Sequence, residues 1–345
     1  MNERDPSGTL MHREAAQAGA VVRTQLERNR DAVKRLGAEL RAMAPRAVVT
    51  CARGSSDHAA TYGKYLIETR LGVLTASAAP SVTSVYKAPQ DLRECLFVAI
   101  SQSGGSPDIL AAVEGARRDG ARVLALVNEE DSPVARAAHH CLPLCAGPEE
   151  SVAATKSHIA SLAALAHMVA SWADDAPLLE ALPLAPGLLE RAWALPWERA
   201  VDRLRDANHL FVIARGLGLG IAQEAALKCK EACGLHAESF SAAEVRHGPQ
   251  ALLSGDFPAL VLSQDDAARE GIEACARELA ARGVPLLVAG VQIPGAQELP
   301  TLAAHPALQP LLLVQSFYRL ANALAVARGH DPDRPPHLRK VTRTL

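Results

Sequence analysis

The feature that most constrains the fold is a long repeat between the two halves of the chain. The segments AVVTCARGSSDHAA and HLFVIARGLGLGIA both run from an apolar stretch through Ala-Arg-Gly into a turn. The shared tripeptides begin at positions 52 and 214, an offset of 162 residues. A repeat of this length is typical of a duplicated domain rather than of a solenoid, so the sequence predicts two halves of one architecture.

Each half alternates short apolar strands with helical stretches, which predicts βαβ units and a parallel sheet. The predicted strands are 46–51, 96–100, 123–128 and 140–144 in the first half, and 210–214, 259–263 and 286–289 in the second. The predicted helices are 11–43, 57–70, 107–119, 151–172, 221–233 and 311–328, and a run of prolines marks 174–197 as a linker.

The expected fold class is therefore α/β, with two tandem subdomains that each contain a parallel sheet flanked by helices. This is a flavodoxin-like, three-layer αβα arrangement. The predicted domain limits are 1–44 for an N-terminal helical segment, 45–190 and 191–330 for the two subdomains, and 331–345 for a basic tail.

Composition excludes several classes of protein. Hydrophobic residues make up 49% of the chain and charged residues 21%, as in globular proteins. A formal net charge of −2 gives no field that would attract nucleic acid or an anionic membrane, and no apolar run is long enough to span one. The start, MNERDPSGTL, is unlike a signal peptide, and an odd number of cysteines indicates free thiols, so we expect a cytoplasmic protein. No His pair accompanies the cysteines, so we expect buried thiols and no metal site.

The first candidate functional element is SQSGGS at 101–106, between a predicted buried strand and a helix. Ser106 suits the N-cap of that helix and Pro107 its first position. Such a turn points backbone N–H groups beyond the strand, glycines let the backbone approach a ligand, and serines add hydroxyl donors. Because GSS at 54–56 offers more hydroxyls beside the first strand, we favour an anion site over two ordinary turns.

The corresponding turns of the second half lack these donors. The first of them is GLGLG, without hydroxyl groups, and the second is SQDD at 263–266, whose two acids would repel an anion. We therefore expect that only the first half binds phosphate.

The second half carries other polar residues, in ALKCKEACGLHAESFSAAEVRHGP at 226–249. Lys228 and Glu231 lie three residues apart on a predicted helix, so they share a face. The segment also contains His236, Glu238, Glu244 and the rigid turn HGP at 247–249. From these residues alone, acid–base catalysis and a solvated polar face remain equally open.

Taken together, these motifs resemble the sugar isomerase (SIS) family. The resemblance is greatest to the isomerase portion of glucosamine–fructose-6-phosphate aminotransferase and to stand-alone glucosamine-6-phosphate deaminases of the SIS type. The matching motifs span nearly the whole chain in the family's order: GSS at 54–56, SQSGGS at 101–106, ESVAATK at 150–156, ALKCKE at 226–231, HAESFSAAEVRHGP at 236–249 and HLRKVT at 337–342.

The resemblance implies roles for particular residues. Those that match the family's phosphate and sugar contacts are Ser56, Ser101, Gln102, Ser103, Ser106 and, through its backbone, Val152. Glu231 matches the base that moves a proton between C1 and C2, and Lys228 its helper. His247 matches a ring-opening histidine supplied by the partner subunit, and Lys340 matches a lysine that meets the open-chain sugar. The resemblance thus implies a homodimer with shared active sites and a sugar-phosphate substrate, and it requires neither a metal nor an organic cofactor.

The sequence departs from the family at two points. SQSGGS stands where SQSGET is usual, so Gly105 removes an acid. Asn2 follows Met1 where a glutaminase domain would carry its cysteine nucleophile, so we expect no release of ammonia from glutamine. The expected function is conversion of glucosamine 6-phosphate to fructose 6-phosphate and ammonia. A fructosamine-phosphate deglycase and a non-catalytic sugar-phosphate sensor are the alternatives.

Overall fold

The computed structural model describes residues 5–340, which form two compact units. The first unit contains 20–148 and 157–186, and the second unit contains 5–19, 149–156 and 187–340. The ends of the chain, including the last two positions of HLRKVT, lie outside the described residues. Each unit has one five-stranded sheet, as the predicted α/β class requires. The domain limits predicted from the sequence stay predictions.

The sheet of the first unit is entirely parallel and has the strand order β2-β1-β3-β4-β5. Its strands are β1 (Ala47–Cys51), β2 (Thr75–Ser77), β3 (Cys95–Ser101), β4 (Arg122–Val127) and β5 (His140–Pro143). This is the flavodoxin-like order, and it makes β3 the central strand. All seven residues of β3 are buried, as expected for a strand that has helices on both faces.

The sheet of the second unit repeats this topology. Its strands are β6 (His209–Ala214), β7 (His236–Ser241), β8 (Ala259–Leu262), β9 (Leu286–Ala289) and β10 (Gln297–Leu299), in the order β10-β9-β8-β6-β7. Counted from β6, this is the order of the first sheet, and every pairing is again parallel. The glycines of the two Ala-Arg-Gly tripeptides also correspond, because Gly54 and Gly216 have φ of +54° and +63°. The predicted duplication is therefore confirmed.

Thirteen α-helices complete the described part of the chain. They are α1 (Leu10–Ala16), α2 (Ala18–Met43), α3 (Ser55–Leu71), α4 (Pro80–Ser84), α5 (Pro107–Arg118), α6 (Pro133–Ala137), α7 (Lys156–Ala173), α8 (Ala176–Ala181), α9 (Ala185–Trp193), α10 (Val201–Leu204), α11 (Leu219–Cys233), α12 (Arg269–Ala281) and α13 (Gln309–Ala327). Short 3-10 turns connect several of them.

Two predicted segments are wrong. Residues 151–155 are not helical, because their amides are bound elsewhere: the N–H of Thr155 donates to the Glu149 carboxylate (3.0 Å), and the N–H of Val152 to the carbonyl of Asp333 (3.3 Å). The stretch 174–197 is mostly helical rather than a linker. Pro177, Pro183 and Pro186 stand in the first turns of helical segments, where a missing N–H costs nothing. Asp175 caps α8 by accepting from the N–H of Leu178 at 3.2 Å.

Helix α13 is the one described helix long and apolar enough to cross a membrane. Most of it, 78% of its apolar window, is buried inside the protein. Its buried residues contact α11 and α1 of the same unit. This burial is typical of the core helix of a globular protein.

Candidate active site

In the loop that follows β3 of the first unit, two serine side chains bind the backbone of the same loop. The hydroxyl of Ser101 accepts a hydrogen bond from the N–H of Gly104 at 3.0 Å, and that of Ser103 accepts from the N–H of Gly105 at 3.3 Å. Ser106 occupies the N-cap position of α5, as predicted, but its side chain makes no capping hydrogen bond. The loop therefore keeps a fixed shape, while the hydroxyl of Ser106 stays available at the start of a 12-residue helix, a favourable position for an anion.

Gly104 is the position in this loop that only glycine can occupy. Its φ is +57°, and an added Cβ would lie 2.1 Å from the hydroxyl oxygen of Ser132. We expect Gly104→Ala to lower the free energy of unfolding by about 1–3 kcal/mol, because it adds both backbone strain and overpacking. Urea unfolding would measure this. Gly105→Ala is the matched control, since its nearest atom lies at 3.8 Å. Equal stabilities of the two variants would contradict the account.

An ion pair joins this loop to the turn after β1. Arg53 of the Ala-Arg-Gly tripeptide contacts the carboxylate of Asp108, in the first turn of α5, with its Nε at 3.0 Å and one terminal nitrogen at 2.8 Å. Asp108 is buried, so its carboxylate gains from a paired charge. Ser56 lies in the first turn of α3, immediately after this tripeptide. The first unit thus brings the predicted phosphate contacts 54–56 and 101–106 to the carboxyl ends of two neighbouring strands.

The second unit contains a buried ionic cluster on α11. The ammonium of Lys228 lies 2.6 Å from Glu231 Oε2 and 3.2 Å from Glu224 Oε1. The hydroxyl of Tyr318 donates to the same Glu224 oxygen at 3.0 Å. The side chains of Lys228 and Glu224 are almost completely buried, whereas that of Glu231 is 23% exposed. The predicted pair of Lys228 and Glu231 therefore exists, and Glu231 is its accessible member.

The charges of this cluster shift the pKa values of Lys228 and Tyr318. Burial disfavours the charged form of Lys228, but the carboxylates of Glu224 and Glu231 outweigh burial and raise the pKa of the ammonium. Burial, together with the charge of Glu224, raises the pKa of Tyr318 well above its ordinary value. Both shifts favour the ammonium form of Lys228 and a protonated hydroxyl, a hydrogen-bond donor, at Tyr318. Glu231 opens onto a cavity of about 300 Å³ that is also lined by Lys230, Gly234, His330, Pro336 and Leu338.

Lys340 belongs to a second polar group in the same unit. Its ammonium donates to the carbonyl of Ser151 at 2.7 Å and contacts Glu149 Oε2 at 3.1 Å. Val152 is the next residue in this loop. Residues 149–152 form one loop. It contains Val152 and it binds the ammonium of Lys340, so two predicted residues meet there.

The predicted residues fall into three groups, which are the two Ser-Gly loops, the Lys228–Glu231 pair and the Lys340–Val152 loop, and His247 belongs to none of them. It is exposed on the 3-10 turn Glu244–His247, after the carboxyl end of β7. Sequence reasoning also missed three residues: Glu149, which contacts Lys340, Glu224, which contacts Lys228, and Tyr318, which contacts Glu224. Glu224 could have been found, because it lies four residues before Lys228 on the same predicted helix. Tyr318 and Glu149 meet their partners only through the tertiary fold.

The counterpart of the phosphate loop in the second unit has a different character. A cavity of about 350 Å³ lies at the carboxyl ends of β8 and β9, and Asp265, Arg269 and Glu298 are among its lining residues. Arg269 is paired with Asp265 at 2.9 Å, so it offers no unopposed positive charge. This is consistent with the expectation that the second half does not bind phosphate.

The fold and these sites define a duplicated flavodoxin-like α/β protein with a Ser-Gly loop after β3 in one half and a buried Lys–Glu cluster in the other. A profile of the SIS domain matches residues 44–171 and 203–289. The chain therefore belongs to the SIS domain family.

Known proteins agree with this assignment. The chain is 36% identical over 326 residues to a glutamine–fructose-6-phosphate aminotransferase of Symbiobacterium thermophilum, with 88% of the chain and 52% of that relative aligned. It thus spans about half the length of the curated relatives it matches. A crystal structure of a candidate phosphosugar isomerase from Silicibacter pomeroyi DSS-3 is 41% identical, has a TM-score of 0.89, and covers 94% of this chain and 100% of that one. The C-terminal domain of glucosamine-fructose-6-phosphate aminotransferase from Francisella tularensis shares the fold (TM-score 0.86, 24% identity, 95% and 98% covered).

Proposed function

We propose that this SIS protein is a phosphosugar isomerase that converts glucosamine 6-phosphate and water to fructose 6-phosphate and ammonia. The 41% identity to the Silicibacter pomeroyi candidate isomerase supports the isomerase class. Phosphate binding is assigned to the loop 101–106 with Ser56, and proton transfer to Glu231. The single observation that carries the proposal is the Lys228–Glu231 pair. The Glu231 carboxylate lines a cavity, and the buried ammonium of Lys228 holds this carboxylate in place.

The geometry of Glu231 suits a base that shuttles one proton. Its Oε2 is held by Lys228 at 2.6 Å, which leaves Oε1 as the oxygen that can face a substrate proton. In the open-chain sugar, Glu231 would take the proton from C2 and return it to C1. In the same isomerisation O1 would gain a proton and the amine at C2 would lose one, so that the aldehyde becomes an alcohol and C2 becomes an imine. Water would then hydrolyse the imine to a ketone and release ammonia, so every atom is accounted for.

Charge at O1 or N2 would be stabilised by Lys340. Its ammonium is held by Glu149 and by the carbonyl of Ser151, so it is oriented before substrate arrives. A preorganised cation stabilises a developing negative charge more than a mobile one, because no reorganisation is needed during the reaction.

The cluster argues against a non-catalytic sensor. Desolvating Lys228 and Glu224 costs free energy that phosphate binding alone would not require. A sensor needs only the loop 101–106 of the first unit, which is the part assigned to phosphate binding. A deglycase remains the second candidate, because Gly105 is exposed and the nearest atom to an added Cβ outside the adjacent residues is Ser103 Oγ, at 3.8 Å. The absence of an acidic side chain there leaves room for the larger substituent of a fructosamine adduct.

We also propose a homodimer in which each chain lends its His247 to its partner. Glu231 lies in the last turn of α11, just before β7, and His247 follows the other end of β7. The six residues of β7 span roughly 17 Å. One chain therefore holds Glu231 near the start of β7 and His247 beyond its end. His330 of the same chain lines the Glu231 cavity, but the family resemblance assigns ring opening to His247, so in this proposal that histidine comes from a second copy.

Ammonia release tests the function. Purified protein is incubated with glucosamine 6-phosphate, and ammonia and fructose 6-phosphate are measured. Unphosphorylated glucosamine is the control, and a fructosamine phosphate adduct tests the deglycase. Equal amounts of both products from glucosamine 6-phosphate would support the proposal. Turnover of the adduct alone would favour the deglycase, and binding without turnover of either would favour the sensor.

The phosphate assignment gives a separate prediction. Ser103→Ala should weaken binding of a sugar phosphate by about 1–3 kcal/mol, because a donor to a charged group is lost. Calorimetric titration measures the affinity. Ser77→Ala, on the exposed part of β2, is the control and should bind like the wild type. Unchanged affinity of Ser103→Ala would remove this residue from the phosphate site.

A further inference from the structure

A short N-terminal helix holds the loop on which Lys340 depends. The carboxylate of Glu14, on α1, accepts hydrogen bonds from two consecutive backbone amides: the N–H of Glu150 reaches Oε1 at 2.5 Å, and the N–H of Ser151 reaches Oε2 at 3.2 Å. The residue is only 6% exposed. A buried carboxylate is costly unless both oxygens are satisfied, and here both serve one stretch of backbone.

The same stretch of backbone presents its acceptors to Lys340. The carbonyl of Ser151 lies 2.7 Å from the ammonium, and the carboxylate of Glu149, the residue before the first amide, lies 3.1 Å away. The N–H of Thr155 donates to the other oxygen of Glu149 at 3.0 Å. Glu14 therefore binds backbone N–H groups of the loop, while Lys340 is bound by a carbonyl and a carboxylate of the same loop.

Helix α1 is itself fixed to the tail that carries Lys340. Asp333 accepts from the N–H groups of Leu10 and Met11, both at 2.8 Å, and so caps the start of the helix. The carbonyl of Asp333 in turn accepts from the N–H of Val152 at 3.3 Å. One helix thus holds the loop at one end and the tail at the other.

We propose that Glu14 is a positioning residue: by fixing residues 149–152 it sets the place of the Lys340 ammonium. Its importance for turnover rests on the function proposed above, in which Lys340 stabilises charge on the sugar. Glu14 contacts no reacting atom. Its removal is expected to lower kcat more than it raises KM, because the loop 101–106 belongs to the other unit and only the backbone contact of Val152 lies in the loop that Glu14 fixes.

The test uses Glu14→Gln, which keeps the size of the side chain but turns an amide donor toward one of the two N–H groups. The first readout needs no reaction: the rate at which acetic anhydride labels Lys340 in the protein without substrate, measured by peptide mass spectrometry relative to the exposed Lys64. We expect labelling of Lys340 to rise roughly tenfold, as for a charged group that has lost its hydrogen bonds. The second readout is kcat with glucosamine 6-phosphate, expected to fall by a similar factor.

Glu198→Gln is the matched control, because Glu198 is a carboxylate of the same unit whose ion-pair partner is Arg319, at 2.9 Å, rather than the loop 149–152. It should leave both readouts unchanged. Glu14→Asp, which retains the charge but is one methylene shorter, should give intermediate labelling and serves if Glu14→Gln does not fold. Wild-type labelling of Lys340 in the folded Glu14 variants would overturn the inference. If labelling rises while the wild type turns over no phosphosugar, the positioning stands and the proposed function fails.

Discussion

Replacing Glu231 with Gln is expected to lower kcat by roughly 10²-fold or more, the range for loss of a general base. Gln is nearly isosteric with Glu but cannot accept the proton from C2. Lys228 keeps Glu224 as a partner at 3.2 Å, so the buried ammonium is not left uncompensated and the variant should fold. Binding of the sugar phosphate should be nearly unchanged, because the phosphate contacts lie in the other unit. Steady-state kinetics and calorimetric titration measure the two quantities separately.

Glu238→Gln is the control for this variant. Glu238 is an exposed carboxylate on β7, seven positions beyond Glu231 and outside the ionic cluster. It should keep wild-type kcat. Wild-type turnover by Glu231→Gln would show that Glu231 is not the base, whereas loss of phosphosugar affinity along with turnover would point to a structural effect.

Mixing two inactive variants, Glu231→Gln and His247→Ala, is expected to restore activity. If each site takes His247 from the partner, a mixed dimer has one site with both lesions and one with neither. Random pairing makes half the dimers mixed, so activity should recover to about a quarter of wild type per site. The physical reason is the separation of these residues across β7 within one chain.

Subunit exchange must be shown independently, for example by copurification of an untagged variant with a tagged one. Each variant alone provides the baseline. If exchange occurs and no activity returns, His247 acts within its own chain or not at all. If the protein is monomeric by light scattering, the shared site is excluded directly.

The fold could be predicted well from the sequence, because apolar strands and the 162-residue repeat carry a strong periodic signal. Strand β7 was missed, since HAESFS has charged and small residues and only one fully buried position. Strands β2 and β10 were missed because each has three residues at a sheet edge. The prolines of 174–197 led to a wrong linker prediction for another reason. A proline in the interior of a helix breaks the helix, whereas a proline in the first turn fits the helix and often marks its start.

For the candidate site, motifs close in sequence were predictable and partners distant in sequence were not. Lys228 and Glu231 lie one helical turn apart, so their contact follows from spacing alone. Tyr318 is 94 positions from Glu224, and Glu149 is 191 positions from Lys340. Contacts at such separations depend on how α13 and the tail pack, which no local pattern encodes. For the same reason, the sequence predicts that Glu14 lies in a helix but not that it binds the backbone N–H groups of Glu150 and Ser151.

The buried ammonium of Lys228 also limits the kind of chemistry this protein can perform. A lysine that attacks a sugar carbonyl must lose its proton first, and enzymes that use such a nucleophile lower its pKa. Here Glu224 and Glu231 do the reverse and keep the nitrogen protonated. Lys228 is therefore unsuited to a covalent adduct with the open-chain sugar. In the proposed reaction, Lys228 would therefore act through its charge and would form no carbon–nitrogen double bond with the sugar.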